Sequence, residues 1–287
     1  MSFFTILLTA LLSVLAPIGL ISETVAERAI RQRLAVAETL AIRIDNAPNY
    51  QLVRGRLQRV RLAGRGVEPR PGLRIAVLEL ETDAIALQPG SLQQGQPRLA
   101  EPLQAGVRLE LTEEDVNRFL QSPLVSDRLK TLSFNLPGSG DRVPEAYGIT
   151  QVEADFLENN RLQLRATLKG QQSGTETRIV AESGLAIAQG RQLQLVAPQL
   201  TLGGTLVPPE ITLFLTAGFQ QRLDLKTLDT SGLTARVLNL EIQADRLDLA
   251  AFVQVEPRFL QPQPSQNPPS QNPPSQNQPS QNLPPQN

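Results

Sequence analysis

Apolar and polar residues alternate along much of this chain, and that two-residue period predicts a protein built mainly of β-strands. From Leu57 to Ala63, Gln58, Val60 and Leu62 point one way and Arg59 and Arg61 the other. From Leu73 to Thr82, Ala76, Leu78 and Leu80 take one face, while Ile75 and Val77 share the other with Glu79 and Glu81. Between these two runs lies the turn-rich stretch 64–72, so they predict a hairpin with a long loop centred near residue 68. In that register Arg59 and Glu79 are diagonal neighbours. Beyond residue 150 one phrase recurs three times, beginning at Phe156, Leu185 and Leu240. Each copy reads as a strand, a polar turn and an alternating return strand, hence a β-hairpin.

The helical period appears in three places. Ser22 is an N-cap for a predicted helix running to about Leu40, with Val25, Ala29, Ile30, Leu34 and Ala37 on its apolar side. Thr112-Glu113-Glu114-Asp115 resembles a capping box, and the helix it opens ends before Pro123, with a second short helix over 124–132. Pro208-Pro209 opens the third, with Ile211, Phe214, Leu215, Gly218 and Phe219 at helical spacing. Long antiparallel strands mixed with a few amphipathic helices indicate an α+β fold: an elongated, strongly curved antiparallel sheet or half-open barrel with the helices packed on it. A sheet that is apolar on one face needs a cover. Where the helices leave it uncovered, an elongated apolar cavity remains for a hydrophobic ligand; where they do not, the core is filled.

Both ends differ from this body. Residues 1–22 hold an uncharged apolar run from Phe3 to Ile21, read as a signal peptide or a membrane anchor. No basic residue precedes the run, whereas Arg28, Arg31 and Arg33 follow it, which in an uncleaved anchor would keep the body on the cytoplasmic side. Residues 261–287 carry an uncharged PSQNP repeat, a composition that predicts a disordered tail, with any protein partner unspecified. The folded body is therefore 23–260.

Composition then removes most chemistry. The chain of 287 residues has no His, no Cys and no Trp, which excludes Cys/His zinc sites, thiol nucleophiles, disulfides and a Ser-His-Asp triad. Lys+Arg is 27 against 28 Asp+Glu, and with 4 % aromatics this gives no footprint for nucleic acid. Glu79, Glu81 and Asp83 on one strand face allow a carboxylate hydrolase or an oxygen-ligand metal site, but alternating acids on an exposed face arise without either role. No catalytic residue, metal ligand or cofactor is assigned.

Three phrases carry a resemblance. They are Tyr50-Gln-Leu-Val-Arg-Gly-Arg-Leu-Gln-Arg-Val-Arg-Leu-Ala-Gly-Arg-Gly-Val, Leu73-Arg-Ile-Ala-Val-Leu-Glu-Leu-Glu-Thr and Leu111-Thr-Glu-Glu-Asp-Val-Asn-Arg-Phe-Leu. With the late hairpin around Ala244-Asp-Arg-Leu-Asp-Leu, they resemble the LmeA family of phospholipid-binding proteins over roughly residues 24 to 255. That resemblance implies a cell-envelope lipid-binding protein with an elongated β-barrel-like fold, similar to tubular lipid-binding proteins. Its partners would be phospholipid or another lipid and a membrane surface. Its location would be the periplasm or cell envelope, with the cytoplasmic face of a membrane as the other option.

Two sets of residues follow as candidates. Arg54, Arg56, Arg59, Arg61 and Arg65 would form a basic rim that holds lipid headgroups through charge-assisted hydrogen bonds. The competing role for these arginines is cross-strand ion pairing, worth about 0–1 kcal/mol per exposed pair. Val60, Leu62, Leu78, Leu80, Phe119, Leu120, Phe214 and Phe219 would line the cavity. The alternative function is a membrane-anchored scaffold with a filled core and a partner-binding tail.

Overall fold

The computed structural model describes residues 27–45, 55–88, 98–136, 145–212 and 224–257, less Ala29, Arg33 and Leu132, together with Thr216; statements below concern these residues. They form two open antiparallel sheets of six strands each and one short two-stranded ladder.

The first sheet has the order β1 (Val36–Asp45), β3 (Arg59–Arg70), β4 (Leu73–Thr82), β6 (Leu103–Thr112), β14 (Arg246–Val255) and β13 (Leu233–Ile242). A small ladder of β2 (Arg56–Leu57) with β5 (Ile85–Ala86) accompanies it. The expected helix over 22–40 does not extend that far: Val36–Asp45 is strand, paired to β3 in a register that sets Ala41 opposite Ala63 and Ile42 opposite Leu62. Leu40 and Ile42, two residues apart, are both buried. Burial against a neighbouring strand thus overrides the helical spacing of the same apolar residues.

The stretch 64–72 is not a long loop. β3 continues to Arg70 and only Pro71-Gly72 turns. The glycines that suggest a loop are needed within the strand. Gly66 takes a left-handed φ of 55°, and the Glu38 carboxylate occupies the place a Cβ would need. Because the turn lies later than predicted, Arg61 faces Glu81 and Ala63 faces Glu79. β6 is an element that sequence analysis does not predict, although Leu103, Ala105, Val107, Leu109 and Leu111 alternate and all five are buried.

The inner face of this sheet carries the core. Leu62, Leu78, Leu80, Val107, Leu109, Leu249 and Val253 belong to one cluster of buried side chains, joined by Leu225 and Leu228 of the 3-10 turn Leu225–Ser231. The outer face is charged and exposed. Arg61 bridges Asp45 and Glu81, at 3.3 and 3.2 Å, and Arg59 also reaches Glu81 at 3.2 Å. Arg108 spans three strands to Glu79 and Asp248, at 3.3 and 3.0 Å. The hydrogen bond from Arg108 to Glu79, followed by that to Asp248, holds its guanidinium above the usual arginine value.

Two helices follow β6: α1 (Glu113–Leu120) and α2 (Pro123–Thr131), as the sequence predicts. Thr112 Oγ1 accepts from the Asp115 amide at 3.1 Å, the predicted cap. The second sheet has the order β12 (Thr205–Leu206), β11 (Gln192–Leu202), β10 (Glu176–Ala188), β9 (Arg161–Gly170), β8 (Glu145–Leu157) and β7 (Ser133–Leu136). All three predicted hairpins form, as β8–β9, β10–β11 and β13–β14. At the first turn Asn159 and Asn160 both adopt left-handed φ, which asparagine tolerates better than most residues.

The fold is broadly α+β and mostly antiparallel strand, as the sequence predicts, with two large sheets rather than one and neither closed into a barrel: β1 and β13 are the edges of one, β12 and β7 of the other. The apolar N-terminal run, most of the helix after Pro208 and the PSQNP tail lie outside the described residues. No described helix is long and apolar enough to cross a membrane.

Candidate functional site

Three of the candidate arginines, Arg59, Arg61 and Arg65, share the outer face of β3. Arg59 and Arg61 are engaged in the outer-face network with Glu81 and Asp45. Arg56 lies on β2 and Arg65 on the outer face of β3, both exposed and without an ion pair among the described residues, and Arg54 lies outside those residues. Glu79 and Glu81, the carboxylates on which a hydrolase would depend, are held by Arg108, Arg59 and Arg61. Among the described residues no group of acids is arranged to hold a metal ion.

The candidate cavity residues are brought together, but in the packed interior of the first sheet. Val60, Leu62, Leu78, Leu80 and Phe119 all belong to its buried cluster, and Leu120 is half-buried at the end of α1. Phe214 and Phe219 lie outside the described residues.

Accessible apolar surface lies instead on the second sheet. Its strands alternate, so that one face is mainly apolar and the other mainly polar. On β9, Leu162, Leu164, Ala166 and Leu168 face one way and Arg161, Gln163, Arg165 and Thr167 the other. The register carries this split across the sheet: Phe156 and Ala154 lie opposite Leu162 and Leu164, Ile179 opposite Ala166, and Leu202 and Leu200 opposite Ile179 and Ala181. Past a bulge, Leu185 and Ile187 face Leu195 and Leu193.

The polar face is tied by cross-strand ion pairs. Arg165 reaches Asp155 at 2.6 Å and Glu153 at 3.5 Å, and Arg161 reaches Glu182 at 2.7 Å. Ile187 packs against the core of the first sheet, but among the described residues the rest of the apolar face has no comparable closure. Ala154, Phe156 and Leu168, on β8 and its neighbour, are buried; towards β10 and β11 the apolar side chains are only half-buried, and Leu164 is 38 % exposed. Among the described residues, the helices pack on β8 and on the first sheet rather than on the strands beyond. A half-buried face rich in leucine and isoleucine can take the flexible hydrocarbon of a ligand and so remove apolar surface from water.

α1 links the two sheets, and each polar residue of its motif has a separate partner. Asn117 donates from Nδ2 to the Ala154 carbonyl at 2.8 Å and accepts from the Ala154 amide at 2.7 Å. Glu113 Oε2 accepts from the Phe156 amide at 2.7 Å. Asp115, 2 % exposed, pairs with Arg74 of β4 at 3.0 Å and with Arg118 at 3.2 Å. The hydrogen bond that Arg74 donates to Glu38, reinforced by Asp115, holds its guanidinium above the ordinary value despite partial burial. Phe119 enters the core of the first sheet. In the sequence Glu113 and Asp115 read only as part of a capping box; a backbone edge on a distant strand leaves no mark in local pattern.

The seam is completed by the turns of the second sheet. The Ile242 amide donates to Asn160 Oδ1 and the Val237 amide to the Gly190 carbonyl, each at 2.7 Å, so both hairpin turns rest on β13. A cleft of about 780 Å³ opens there, lined by Glu158, Asn159, Asn160, Asn239, Glu241, Gln243 and Asp245 beside Leu240 and Ile242. Its wall is too polar to shelter hydrocarbon.

No curated protein and no solved structure matches the chain in comparison. The model of one family, LmeA-like phospholipid-binding, matches residues 14–252, which include the α1 motif and both sheets up to the last three residues of β14. The chain belongs to the LmeA-like phospholipid-binding family.

Proposed function

We propose that this protein is a non-enzymatic phospholipid carrier or holder of the cell envelope, with acyl chains lying on the apolar face of the second sheet. One observation carries the reading: in a chain of a phospholipid-binding family, that face keeps accessible leucine and isoleucine across four strands while the first sheet packs its own apolar residues together. Burying hydrocarbon on it releases about 25 cal/mol per Å² of apolar surface. Attraction to anionic headgroups falls to Arg56 and Arg65, the described members of the predicted arginine set that are not consumed by ion pairs. Association with a membrane on the envelope side, and a part in lipid transfer or envelope maintenance, extend the same reading.

The test is lipid content. Full-length protein, extracted with organic solvent and weighed by mass spectrometry, is expected to carry phospholipid. Leu164→Asp with Leu195→Asp, charges placed on the half-exposed face, should remove most of it while the protein stays folded. Lipid-free protein that also takes no fluorescent-acyl phosphatidylglycerol from vesicles would end this reading. It would favour the second one, an envelope scaffold, for which the filled core of the first sheet is the supporting observation.

A further inference from the structure

β8 has an incomplete partner. β7 pairs only with its first residues, Ser133 opposite Gly148 through Leu136 opposite Glu145, so beyond Gly148 no strand covers this side of β8 among the described residues. An exposed strand edge offers unpaired amides and carbonyls, each costly to bury unmet and a template for another strand. At Ala154 both backbone groups are satisfied by one side chain. The Asn117 carboxamide donates to its carbonyl and accepts from its amide, the two bonds that a residue of an adjacent antiparallel strand would make. Two residues on, where the next outward amide falls, Glu113 accepts from Phe156. Asn117 and Glu113 are four residues apart and so share one side of α1. The helix also bears the buried Asp115, locked to Arg74 of the first sheet. Ala154 and Phe156 are themselves on the apolar face, opposite Leu164 and Leu162.

We propose that Asn117 and Glu113 are positioning residues for the lipid-bearing face: their side chains stand in for the missing strand along β8 and fasten the second sheet to the first through α1. The part of this that concerns lipid rests on the function proposed above; the fastening itself does not. α1 is then a clasp, anchored on one side by Asp115–Arg74 and Phe119 and gripping backbone on the other. The apolar face keeps its register and twist because its edge strand is held at two successive outward positions. The same grip denies that edge to a strand from a second copy of the chain.

The experiment uses the full-length chain with three variants: Glu113→Ala with Asn117→Ala, Glu113→Gln alone, and Glu114→Gln, at an exposed position of the same helix, as a control. Glu113→Gln keeps an acceptor oxygen for the Phe156 amide. In the double variant, amide hydrogen exchange is expected to rise about tenfold or more across β8 and β9, from the loss of three hydrogen bonds. Exchange in β4 and β6 should hold at the wild-type rate. Recovered phospholipid should fall severalfold, and Glu113→Gln should retain both protection and lipid. Unchanged exchange in β9 would overturn the proposal, as would an equal rise in β4 and β6, which would make the contacts general stabilisers. Loss of lipid in the Glu114→Gln control would overturn it as well. Were the wild-type protein itself to hold no lipid, the functional reading would fail alone, and the exchange pattern would still decide the clasp.

Discussion

The two sheets are made from the same material and finish it differently. Both have six antiparallel strands, both alternate leucine-rich apolar positions with arginine and acid, and both lace their polar face with cross-strand ion pairs. In the first sheet the apolar side closes. Leu78 is 0 % exposed, Leu80 3 % and Leu109 3 %, within one continuous cluster. In the second, Leu164 keeps 38 % of its surface and its neighbours towards β11 are half-buried. Strand pattern alone therefore does not separate a core from a binding surface, because both need the same alternation. What separates them, among the described residues, is a second layer, supplied for the first sheet by the helices, the 3-10 turn and Ile187 of β10.

The strongest way to break that comparison is to remove the same side chain from each sheet. Leu78→Ala should cost about 3 kcal/mol of stability, read from the urea midpoint, because it deletes buried methyl groups and leaves a cavity. Leu195→Ala, on the open face, should cost under about 1 kcal/mol and act instead on lipid recovery. Equal losses at the two positions would mean that the second sheet is as closed as the first.

A smaller effect separates free arginines from paired ones. Arg65→Gln should weaken association with phosphatidylglycerol vesicles about fivefold, the equivalent of about 1 kcal/mol for one basic residue near an anionic surface. Arg61→Gln should change it less, since its guanidinium already spans Asp45 and Glu81. The reverse order would return Arg61 to the headgroup role that the sequence suggests.

Much of the fold is legible in the sequence, and where it fails the reasons are physical. The three late hairpins are readable because alternation, turn residues and spacing agree at each. The Thr112 cap is readable because capping is local, and its hydrogen bond forms as expected. β1 misleads because Leu34, Ala37 and Leu40 happen to suit a helical stripe, and only the β3 ladder decides against it. Gly64 and Gly66 mislead because glycine marks close approach as well as turns. The candidate site was harder still. Val60, Leu62, Leu78 and Leu80 have the pattern of a lining, and so does any core. The open face carries the repeated phrases around Leu162, Leu185 and Leu195, visible as hairpins but not as a surface without a cover. Asn117 and Glu113 are silent because their partners, the backbone of Ala154 and Phe156, have no residue identity to read.

The smallest expected effect tests the seam between the sheets rather than either sheet. Asp224 is the N-cap of the 3-10 turn that carries Leu225 and Leu228 into the first core, and it bridges to Gln192 at the start of β11. The Lys226 amide donates to its Oδ1 at 2.9 Å and Gln192 Nε2 to its Oδ2 at 3.1 Å. These bonds, the amide first, hold its carboxyl below the ordinary value of 3.8. A carboxyl depressed in the folded state contributes stability at neutral pH that is lost as pH falls through and below that ordinary value. The seam should therefore loosen in acid. Lys226 amide exchange, corrected for its intrinsic pH dependence, is expected to speed up below about pH 3.8. Asp224→Asn, which keeps an acceptor but cannot titrate, should flatten that rise relative to wild type. Identical acid profiles would show that both sheets let go together, and that the boundary between closed core and open face is not held at Asp224.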